Sequence, residues 1–452
     1  MQNNYVISNK TTAFSHKAIN CEALLNLYSN YTFKTSTLQI QQVDGLVFKV
    51  GNATEIPLLN NDFVLNVEKG GIYLTASNEV TLKKGFIYLL NLIKFDNEVL
   101  YIPTGSYSFN PEFKTLMAHY CLFYDTKLYE FERFVKFIGA LGYTHLILEF
   151  WGSYAYTCLS ELGWKNAYTY SQIKPIINTA NDLGIEVIPM FNHWGHATQS
   201  RFMHGKHVVL NQNPSLYYLF DDGGWRFNYK YHKVKTLLKS VRDELIALCG
   251  KGSYFHIGCD EAYGFDYSSE EINSLCNFVN ETAKDLSLQG RKTIIWGDML
   301  LCKDDAYNES NSYCVSAPNK EKQTAMINGI DKSIIIADWQ YHAKNYPVET
   351  AISLKDAGFT VIICPWDRGT LETDACIETA KKHNLFGVMH TTWHTLTSGM
   401  PHVLRTAELV SGKPKQSWHY YGIKTASILR KAYPTSDYET AGFSPIDVGV
   451  LY

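Results

Sequence analysis

The amino-acid sequence predicts an α/β fold, a (β/α)8 TIM barrel preceded by a small α+β domain. From about residue 114 onward, near-continuous apolar runs alternate with longer amphipathic segments, as in parallel sheets covered by helices on both faces. Eight such runs within roughly 300 residues match the size of a closed barrel. A doubly wound open sheet is the alternative, but it usually has fewer strands and a glycine-rich first turn, which is not found here.

The first 112 residues have a different pattern. Short β-like runs at 45–50, 63–67 and 72–75 alternate with turn residues, and helices are expected at 23–29 and 84–94. The proline, glycine and asparagine residues of segment 103–111 are typical of a linker. We therefore predict a small α+β domain over residues 1–112 and a catalytic barrel with a C-terminal helix over 113–452.

The barrel elements follow from the same alternation. The predicted strands are 116–121, 144–150, 185–191, 254–259, 293–296, 333–338, 360–364 and 386–391. The predicted helices between them are 128–141, 171–183, 233–248, 269–286, 348–357 and 373–382, and a last helix spans 417–432. The stretch between the fifth and sixth strands is the least clearly helical.

Composition excludes several classes of protein. The chain has 452 residues, and 41 basic against 44 acidic side chains leave a net charge of −3, so no basic surface for nucleic acid is expected. Hydrophobic residues make up 46% of the chain, which is too many for a disordered protein. The longest apolar runs are too short to span a bilayer, and the N-terminus lacks the features of a secretory signal. Ten cysteines without a CxxC pair fit reduced thiols, so we expect a cytoplasmic protein without a membrane or nucleic-acid partner, its oligomeric state left open.

Tryptophans mark the ends of the predicted strands. Six of the nine end or directly follow a strand: Trp151, Trp194, Trp296, Trp339, Trp366 and Trp393. Functional residues of barrels lie at these carboxyl ends. Amphipathic rings at the mouth of a cleft suit the C–H faces of sugars, although packing at the end of a barrel is the alternative explanation.

Two adjacent carboxylates, Asp260 and Glu261, end the fourth strand in the segment His-Ile-Gly-Cys-Asp-Glu-Ala-Tyr, 256–263. Neighbouring residues of a strand point to opposite faces, so only a strand end that turns into a loop brings both to one ligand. An acidic N-terminus of the next helix is the alternative. The preceding apolar strand and glycine favour a catalytic pair.

The segment 256–261 resembles the signature of glycoside hydrolase family 20, the β-N-acetylhexosaminidases. Four further segments resemble the family in the right order: 188–197 after the third strand, 296–299 after the fifth, 339–341 after the sixth and 392–393 after the eighth. The small α+β domain is also usual in the family. The resemblance covers most of the chain.

The resemblance implies an exo-acting enzyme that hydrolyses terminal β-linked N-acetylglucosamine or N-acetylgalactosamine with retention, without a metal or cofactor. The substrate's own 2-acetamido oxygen would attack the anomeric carbon and form an oxazolinium ion, which keeps the nucleophile tethered. Glu261 would be the acid and then the base, Asp260 would orient the acetamido group, and Tyr341 would donate to its oxygen. The implied substrate-binding residues are Trp296, Trp339, Trp393, His196, His256, Glu149, Trp151 and Asp298, the two histidines in a supporting position.

The chain also departs from the family pattern. No arginine follows the first strand at 119–123, and Asn192 stands where an aspartate is usual. Ala343 and Thr395 occupy positions at which the family has acidic residues. The acid pair is therefore intact, whereas the residues expected to recognise the C4 and C6 hydroxyls are changed.

Two other functions remain open from the sequence. A metal-dependent barrel hydrolase would use His193 and His196 as ligands, completed by Asp298 or Asp338. A sugar-binding protein without hydrolytic activity on the same barrel would be expected to lose its carboxylate pair, but Asp260 and Glu261 are both present.

Overall fold

The structure is a computed structural model of the 452-residue chain. It describes most of the predicted barrel and parts of the first domain. The described residues are 113, 115–123, 126–198, 206–221, 223–304, 307, 311–367, 369–393 and 396–432, and before them 4–7, 12–15, 35–36, 45–50, 63–69, 71–76, 94–96 and 99–109 with parts of 81–92. The helix predicted at 23–29 lies outside them.

Eight parallel strands close into a barrel, in chain order around the ring. They are β10 (Thr115–Leu122), β11 (His145–Phe150), β12 (Glu186–Met190), β13 (Tyr254–His256), β14 (Lys292–Trp296), β15 (Ile335–Trp339), β16 (Thr360–Cys364) and β17 (Gly387–His390). The first strand pairs with the last, so the sheet has no free edge. This confirms the (β/α)8 barrel and excludes the open doubly wound sheet.

Helices follow the strands and cover the outside of the barrel. They are α1 (Leu128–Ala140), α2 (Tyr170–Asp182), α3 (His232–Cys249), α4 (Ser269–Leu288), α5 (Lys320–Gly329), α6 (Glu349–Asp356), α7 (Thr370–Lys382), α8 (Leu396–Val410) and α9 (Trp418–Ala432). The predicted helices of the barrel are confirmed, α5 fills the stretch with the weakest pattern, and α8 was not predicted.

Two apolar layers hold the barrel together. Inside it, Met117, Ile147, Ile188, Ile294 and Ile335 point toward the axis and are buried. The alternate strand residues point outward and pack against the helices in a second cluster. Since both faces of each strand are buried, the strands appear in the sequence as continuous apolar runs.

The first domain contains two sheets. The strands are β1 (Asn4–Ile7), β2 (Thr12–Ser15), β3 (Thr35–Ser36), β4 (Gly45–Val50), β5 (Phe63–Glu68), β6 (Gly71–Ala76), β7 (Lys94–Asp96), β8 (Val99–Pro103) and β9 (Gly105–Phe109). Six form one sheet in the order β3-β2-β4-β6-β5-β9, and β1, β8 and β7 form the other. The described residues of 84–92 are helical, as expected. Among the residues that the structure describes, no helix combines the length and apolar character that crossing a bilayer requires.

The pairing of the first and last strands of the barrel depends on a glycine. Gly387 of β17 lies opposite Thr115 of β10, and a Cβ added at Gly387 would lie 2.5 Å from the carbonyl oxygen of Thr115. We expect Gly387→Ala to lower the free energy of unfolding by about 2–3 kcal/mol, because the two strands must separate to admit the methyl group. Thermal unfolding measures this. Gly369→Ala is the control, since its Cβ meets no atom within 4 Å and its φ of 164° is extended backbone. Equal unfolding temperatures for the two variants would contradict the prediction.

Candidate active site

A left-handed turn after β13 brings the two adjacent carboxylates to one side. Gly258, Cys259 and Glu261 have φ values of 68°, 74° and 43°, so the chain does not continue the alternation of a strand. As a result, Nε2 of His196 lies 3.3 Å from Oδ2 of Asp260 and 3.1 Å from Oε2 of Glu261. Both carboxylates therefore face one group, an imidazole from the loop after β12.

Glycines allow the loops after β12 and β13 to pack closely. A Cβ at Gly195 would overlap the carbonyl oxygen of Asp260, and a Cβ at Gly258 would overlap the side chain of Asn192. Only the absence of a side chain permits such an approach. The position of Asp260 is thus fixed by backbone contact as well as by its own hydrogen bonds.

Asn192 connects the same two loops through both ends of its amide. Its Nδ2 donates to Oδ1 of Asp260, while its Oδ1 accepts from the backbone N–H groups of Cys259 (2.9 Å) and Trp194 (3.3 Å). An aspartate at this position would place a second anion beside Asp260. The amide instead supplies a donor, so this departure from the family pattern suits an ionised Asp260.

Two cations keep Asp260 ionised. Burial acts to raise its pKa, but the charges of His196 and Lys206 outweigh burial and hold the pKa below its usual range. Burial likewise acts to lower the pKa of His196, yet the charge of Asp260 and hydrogen bonds to both carboxylates raise it to about 9. At neutral pH the pair is therefore a carboxylate facing an imidazolium.

Asp298 supports the acid from the next strand end. Its Oδ2 accepts from the backbone N–H of Glu261 (3.0 Å), and its Oδ1 accepts from Nε1 of Trp339 (3.2 Å). Burial, with the charge of Asp260, raises the pKa of Asp298 to about 7. Asp298 therefore holds Glu261 and Trp339 in position. Because its pKa is raised, it does so without adding a full negative charge beside Asp260.

Aromatic side chains form a continuous wall beside the carboxylates. The rings of Trp296 and Trp393 are 5.8 Å apart, and Nε1 of Trp393 donates to the hydroxyl of Tyr341 (2.7 Å). The ring of Tyr341 lies 5.1 Å from that of Trp339. The structure thus brings together the three tryptophans and the tyrosine singled out from the sequence. Trp194, in contrast, packs against Phe265 in the outer core, so its place at a strand end reflects packing.

Glu149 belongs to a buried charged cluster. Its Oε1 pairs with the ammonium of Lys206, and its Oε2 lies 2.9 Å from Nε2 of His119. Lys206 also lies over the ring of Trp151, 5.4 Å from the ring centroid. Both oxygens of Glu149 therefore have protein partners, so contact of Glu149 with a sugar hydroxyl stays a prediction.

His256 presents a buried donor. Its Nδ1 accepts from the backbone N–H of Gly258 (3.0 Å), so the proton of the neutral ring is on Nε2. Burial lowers the pKa of His256 to about 3, which keeps the ring neutral. Within the described part of the chain, neither this Nε2 nor Nε1 of the adjacent Trp296 has a hydrogen-bond partner. Both are buried donors of the kind that a polar ligand satisfies.

Residues 145–434 match the model of glycosyl hydrolase family 20, catalytic domain. The chain belongs to glycosyl hydrolase family 20. This membership is the one that the resemblance implied.

Individual relatives agree with this membership. Hexosaminidase D of Bos taurus is 29% identical over 127 residues, which are 27% of this chain and 34% of that protein, so the match spans about a third of the relative. Among solved structures, the family 20 β-N-acetylhexosaminidase of Streptomyces coelicolor A3(2) is 14% identical with a TM-score of 0.68 over 95% of this chain and 93% of its own. The β-N-acetylhexosaminidase of Bacteroides fragilis is 16% identical with a TM-score of 0.67 over 99% and 96%. At these identities the comparison shows that both structures have the same fold as this chain.

Sequence reasoning missed two residues of this family 20 site, Lys206 and Trp225. Nε1 of Trp225 donates to the backbone carbonyl of Glu261 (2.6 Å), and its ring lies 4.4 Å from that of His196. Both residues lie in the loop between β12 and α3, which has no periodicity to analyse. Its length, about 40 residues, was the available signal, because long loops of compact domains are commonly functional.

The structure argues against the metal-binding alternative, because the ring nitrogens of His193 already have other partners. Nδ1 of His193 lies 2.7 Å from the carbonyl oxygen of Phe191, and its Nε2 lies 3.1 Å from Nη1 of Arg242. Both ring nitrogens are therefore occupied away from His196. Asp338 is also separate, since its oxygens accept from Thr350 and Gln340. His193 and Asp338 are structural residues of the barrel.

The raised pKa of His196 predicts a pH-dependent stability. Its pKa is about 9 in the folded state and about 6.5 when unfolded, so its stabilisation is complete below pH 6.5 and is lost as the pH rises through 9. We expect the gap in unfolding free energy between wild type and His196→Gln to shrink by about 3 kcal/mol between pH 6 and pH 10. Urea unfolding at both pH values measures this.

His145→Gln is the matched control. Burial lowers the pKa of His145 to about 4, so this histidine is neutral in both states above its unfolded pKa. Its gap from wild type should change by less than about 1 kcal/mol over the same range, and in the opposite direction, because only the unfolded histidine is partly protonated at pH 6. A constant gap for His196→Gln would show that His196 is not an imidazolium in the folded protein.

Proposed function

We propose that this protein is an exo-acting β-N-acetylhexosaminidase. It hydrolyses terminal β-linked N-acetylglucosamine or N-acetylgalactosamine with retention, through an oxazolinium ion formed by the substrate's own acetamido group. The observation that carries the proposal is the pair Asp260 and Glu261, held on one imidazole beside a wall of three tryptophans and a tyrosine. Membership of family 20 and the hexosaminidase names of its relatives support it.

Glu261 has the position required of the acid. Its side chain is 29% exposed, whereas that of Asp260 is 6% exposed. The leaving oxygen and the attacking water both approach from the open side, so the more exposed carboxyl group is the one that can exchange protons with them. Its backbone carbonyl accepts from Nε1 of Trp225 and its backbone N–H donates to Oδ2 of Asp298, and the two hydrogen bonds fix the residue in place.

Asp260 has the charge required of the orienting anion. It remains ionised in a buried site, where a charge acts more strongly than in water. There it accepts from the acetamido N–H and stabilises the positive charge that develops as the oxazolinium ring closes. Because the attacking oxygen is tethered to the substrate, the protein needs no nucleophile of its own.

The aromatic wall encloses the acetamido group. Trp296 is buried, and Trp339 and Trp393 are partly exposed, so the rings offer apolar surface at the site. The hydroxyl of Tyr341, held by Nε1 of Trp393, donates to the acetamido oxygen and aims it at the anomeric carbon. The apolar faces of the rings suit the methyl group of the acetamido substituent, and the tyrosine hydroxyl suits its oxygen.

Removing the acid should abolish turnover of poor leaving groups. We expect Glu261→Gln to lower kcat about 10²- to 10⁴-fold on a methyl N-acetylglucosaminide, with a smaller loss on a 4-nitrophenyl glycoside that needs less protonation. Steady-state kinetics measure both. Glu270→Gln, an exposed carboxylate in the first turn of α4, is the matched control. Full activity of Glu261→Gln on the methyl glycoside would exclude the acid role.

The tethered nucleophile predicts a strict requirement for the 2-acetamido group. We expect kcat/KM for the 2-acetamido aryl glycoside to exceed that for the 2-hydroxy analogue by at least about a thousandfold. Asp260→Asn should erase much of this preference, because the amide no longer supplies the stabilising charge. Comparable rates on the two substrates would instead point to a nucleophile on the protein.

A further inference from the structure

A cavity of about 400 Å³ lies between the first domain and the barrel, and the roles described above do not use it. Its barrel side consists of residues 140–142, at the end of α1, and of residues from α8 and α9. Residues 140–142 lead into β11, so the cavity adjoins the amino end of a barrel strand. The active site lies at the opposite, carboxyl ends of the strands. The cavity is therefore separate from the active site.

The charged side chains at this cavity carry excess positive charge. Glu408 is 3% exposed, and its Oε1 accepts from Nζ of Lys413 (3.2 Å) and from Nζ of Lys424. Both lysines line the cavity, and Lys84 of the first domain lines it as well. Burial, together with the charge of Lys424, lowers the pKa of Lys413, as expected where two ammonium groups share one carboxylate. An anionic ligand would form charge-assisted hydrogen bonds with these lysines.

The second oxygen of Glu408 requires a donor. Oε2 is buried and has no hydrogen-bond partner among the residues that the structure describes. Buried polar atoms are normally satisfied by a protein group, a water or a ligand. A fully ionised anion has no proton to donate, so an anionic group alone does not complete the site. The ligand therefore combines a negative charge with a hydroxyl or N–H group.

Apolar side chains form other parts of the lining. The ring of Tyr88 is held in the first domain by Phe63 and Tyr107, whose ring centroids lie 5.5 Å and 6.2 Å away. Leu404 of α8 and Ile428 of α9 line the barrel side. An aromatic ring together with aliphatic side chains suits the C–H faces of a sugar ring. The volume lies near the lower end of the range for ligand sites, roughly 300–1,000 Å³, and suits one monosaccharide.

We propose that this cavity is a second ligand site and that it binds a monosaccharide phosphate. The phosphate group lies between Lys413 and Lys424, a sugar hydroxyl donates to Oε2 of Glu408, and the sugar ring packs on Tyr88. An oligosaccharide exceeds the volume of the cavity, and a neutral sugar leaves its positive charge unmatched. Because the ligand contacts both the first domain and the barrel, it stabilises the folded chain.

The probe is glucose 6-phosphate, which lacks the acetamido group that the proposed active site requires. We expect isothermal titration calorimetry of the full chain to give a Kd on the order of 0.1 mM, at least about tenfold lower than the Kd of inorganic phosphate at the same ionic strength. Glucose should give no measurable binding under the same conditions. Saturating glucose 6-phosphate should also raise the unfolding temperature of the protein.

Two variants test the two parts of the site separately. The side chain of Lys413 is 49% exposed, and Lys424 still pairs with Glu408 in its absence, so Lys413→Met should fold and bind the probe about tenfold more weakly. Glu408→Gln removes the acceptor of the sugar hydroxyl and a negative charge beside the phosphate. The preference of this variant for glucose 6-phosphate over inorganic phosphate should therefore fall to within about twofold.

Lys415→Met is the matched control. The side chain of Lys415 is 65% exposed and pairs with Oδ2 of Asp374 (2.9 Å), and neither residue lines the cavity. This variant should bind the probe with the affinity of the wild type.

Equal affinities of the wild-type protein for glucose 6-phosphate and inorganic phosphate would leave only an anion site and overturn the inference. Tighter binding of glucuronate than of glucose 6-phosphate would identify a sugar carboxylate as the ligand and would also overturn it. Unchanged binding by Lys413→Met would place the ligand outside this cavity. Lys413→Met should hydrolyse an aryl N-acetylglucosaminide at the wild-type rate, so failure of this inference is distinguishable from failure of the proposed function.

Discussion

Charge balance at the mouth of the barrel is the constraint on which the site depends. Asp260, Asp298 and Glu149 are buried there on three different strand ends, and unpaired carboxylates at such positions would be strongly destabilising. Two cations offset them, His196 at Asp260 and Lys206 at Glu149. Both come from the loop after β12, and the backbone N–H of Lys206 donates to the carbonyl of His196 (2.9 Å). One loop therefore neutralises two of the three strand ends, whereas burial raises the pKa of Asp298 to about 7 and so reduces its charge. The order of the site therefore depends on the position of that loop.

Backbone strain is concentrated at the same place. Of the five non-glycine residues with positive φ in the described part of the chain, four lie at the mouth: His196, Cys259, Glu261 and Trp393. Each such conformation costs roughly 1–3 kcal/mol and persists only where surrounding contacts require it. Here the required contacts are those that aim side chains into the site. The packed barrel beneath supplies the stability that offsets this strain, and the result is a rigid arrangement of reacting groups.

The sequence predicted those structural elements and site residues that follow from repeated or local patterns. The strands were predictable because burial on both faces produces continuous apolar runs, and the carboxylate pair was predictable because it ends such a run. α8 was missed because Gly399 and Pro401 interrupt its pattern. Lys206 and Trp225 were missed because contacts across a long irregular loop leave no periodic trace. Thr395, which departs from the family pattern, lies outside the residues that the structure describes.

The departures from the family pattern make sense when their charges are considered together. The first strand end lacks the arginine, which removes a cation from the site. Asn192 and Ala343 replace two acidic residues, and Ala343 is buried, so no anion remains at either position. Changed together, they leave His196 and Lys206 facing Asp260 and Glu149, while the buried N–H groups of His256 and Trp296 remain as neutral donors. The charges that remain at the site are those that keep Asp260 ionised, and the two buried donors near them are neutral.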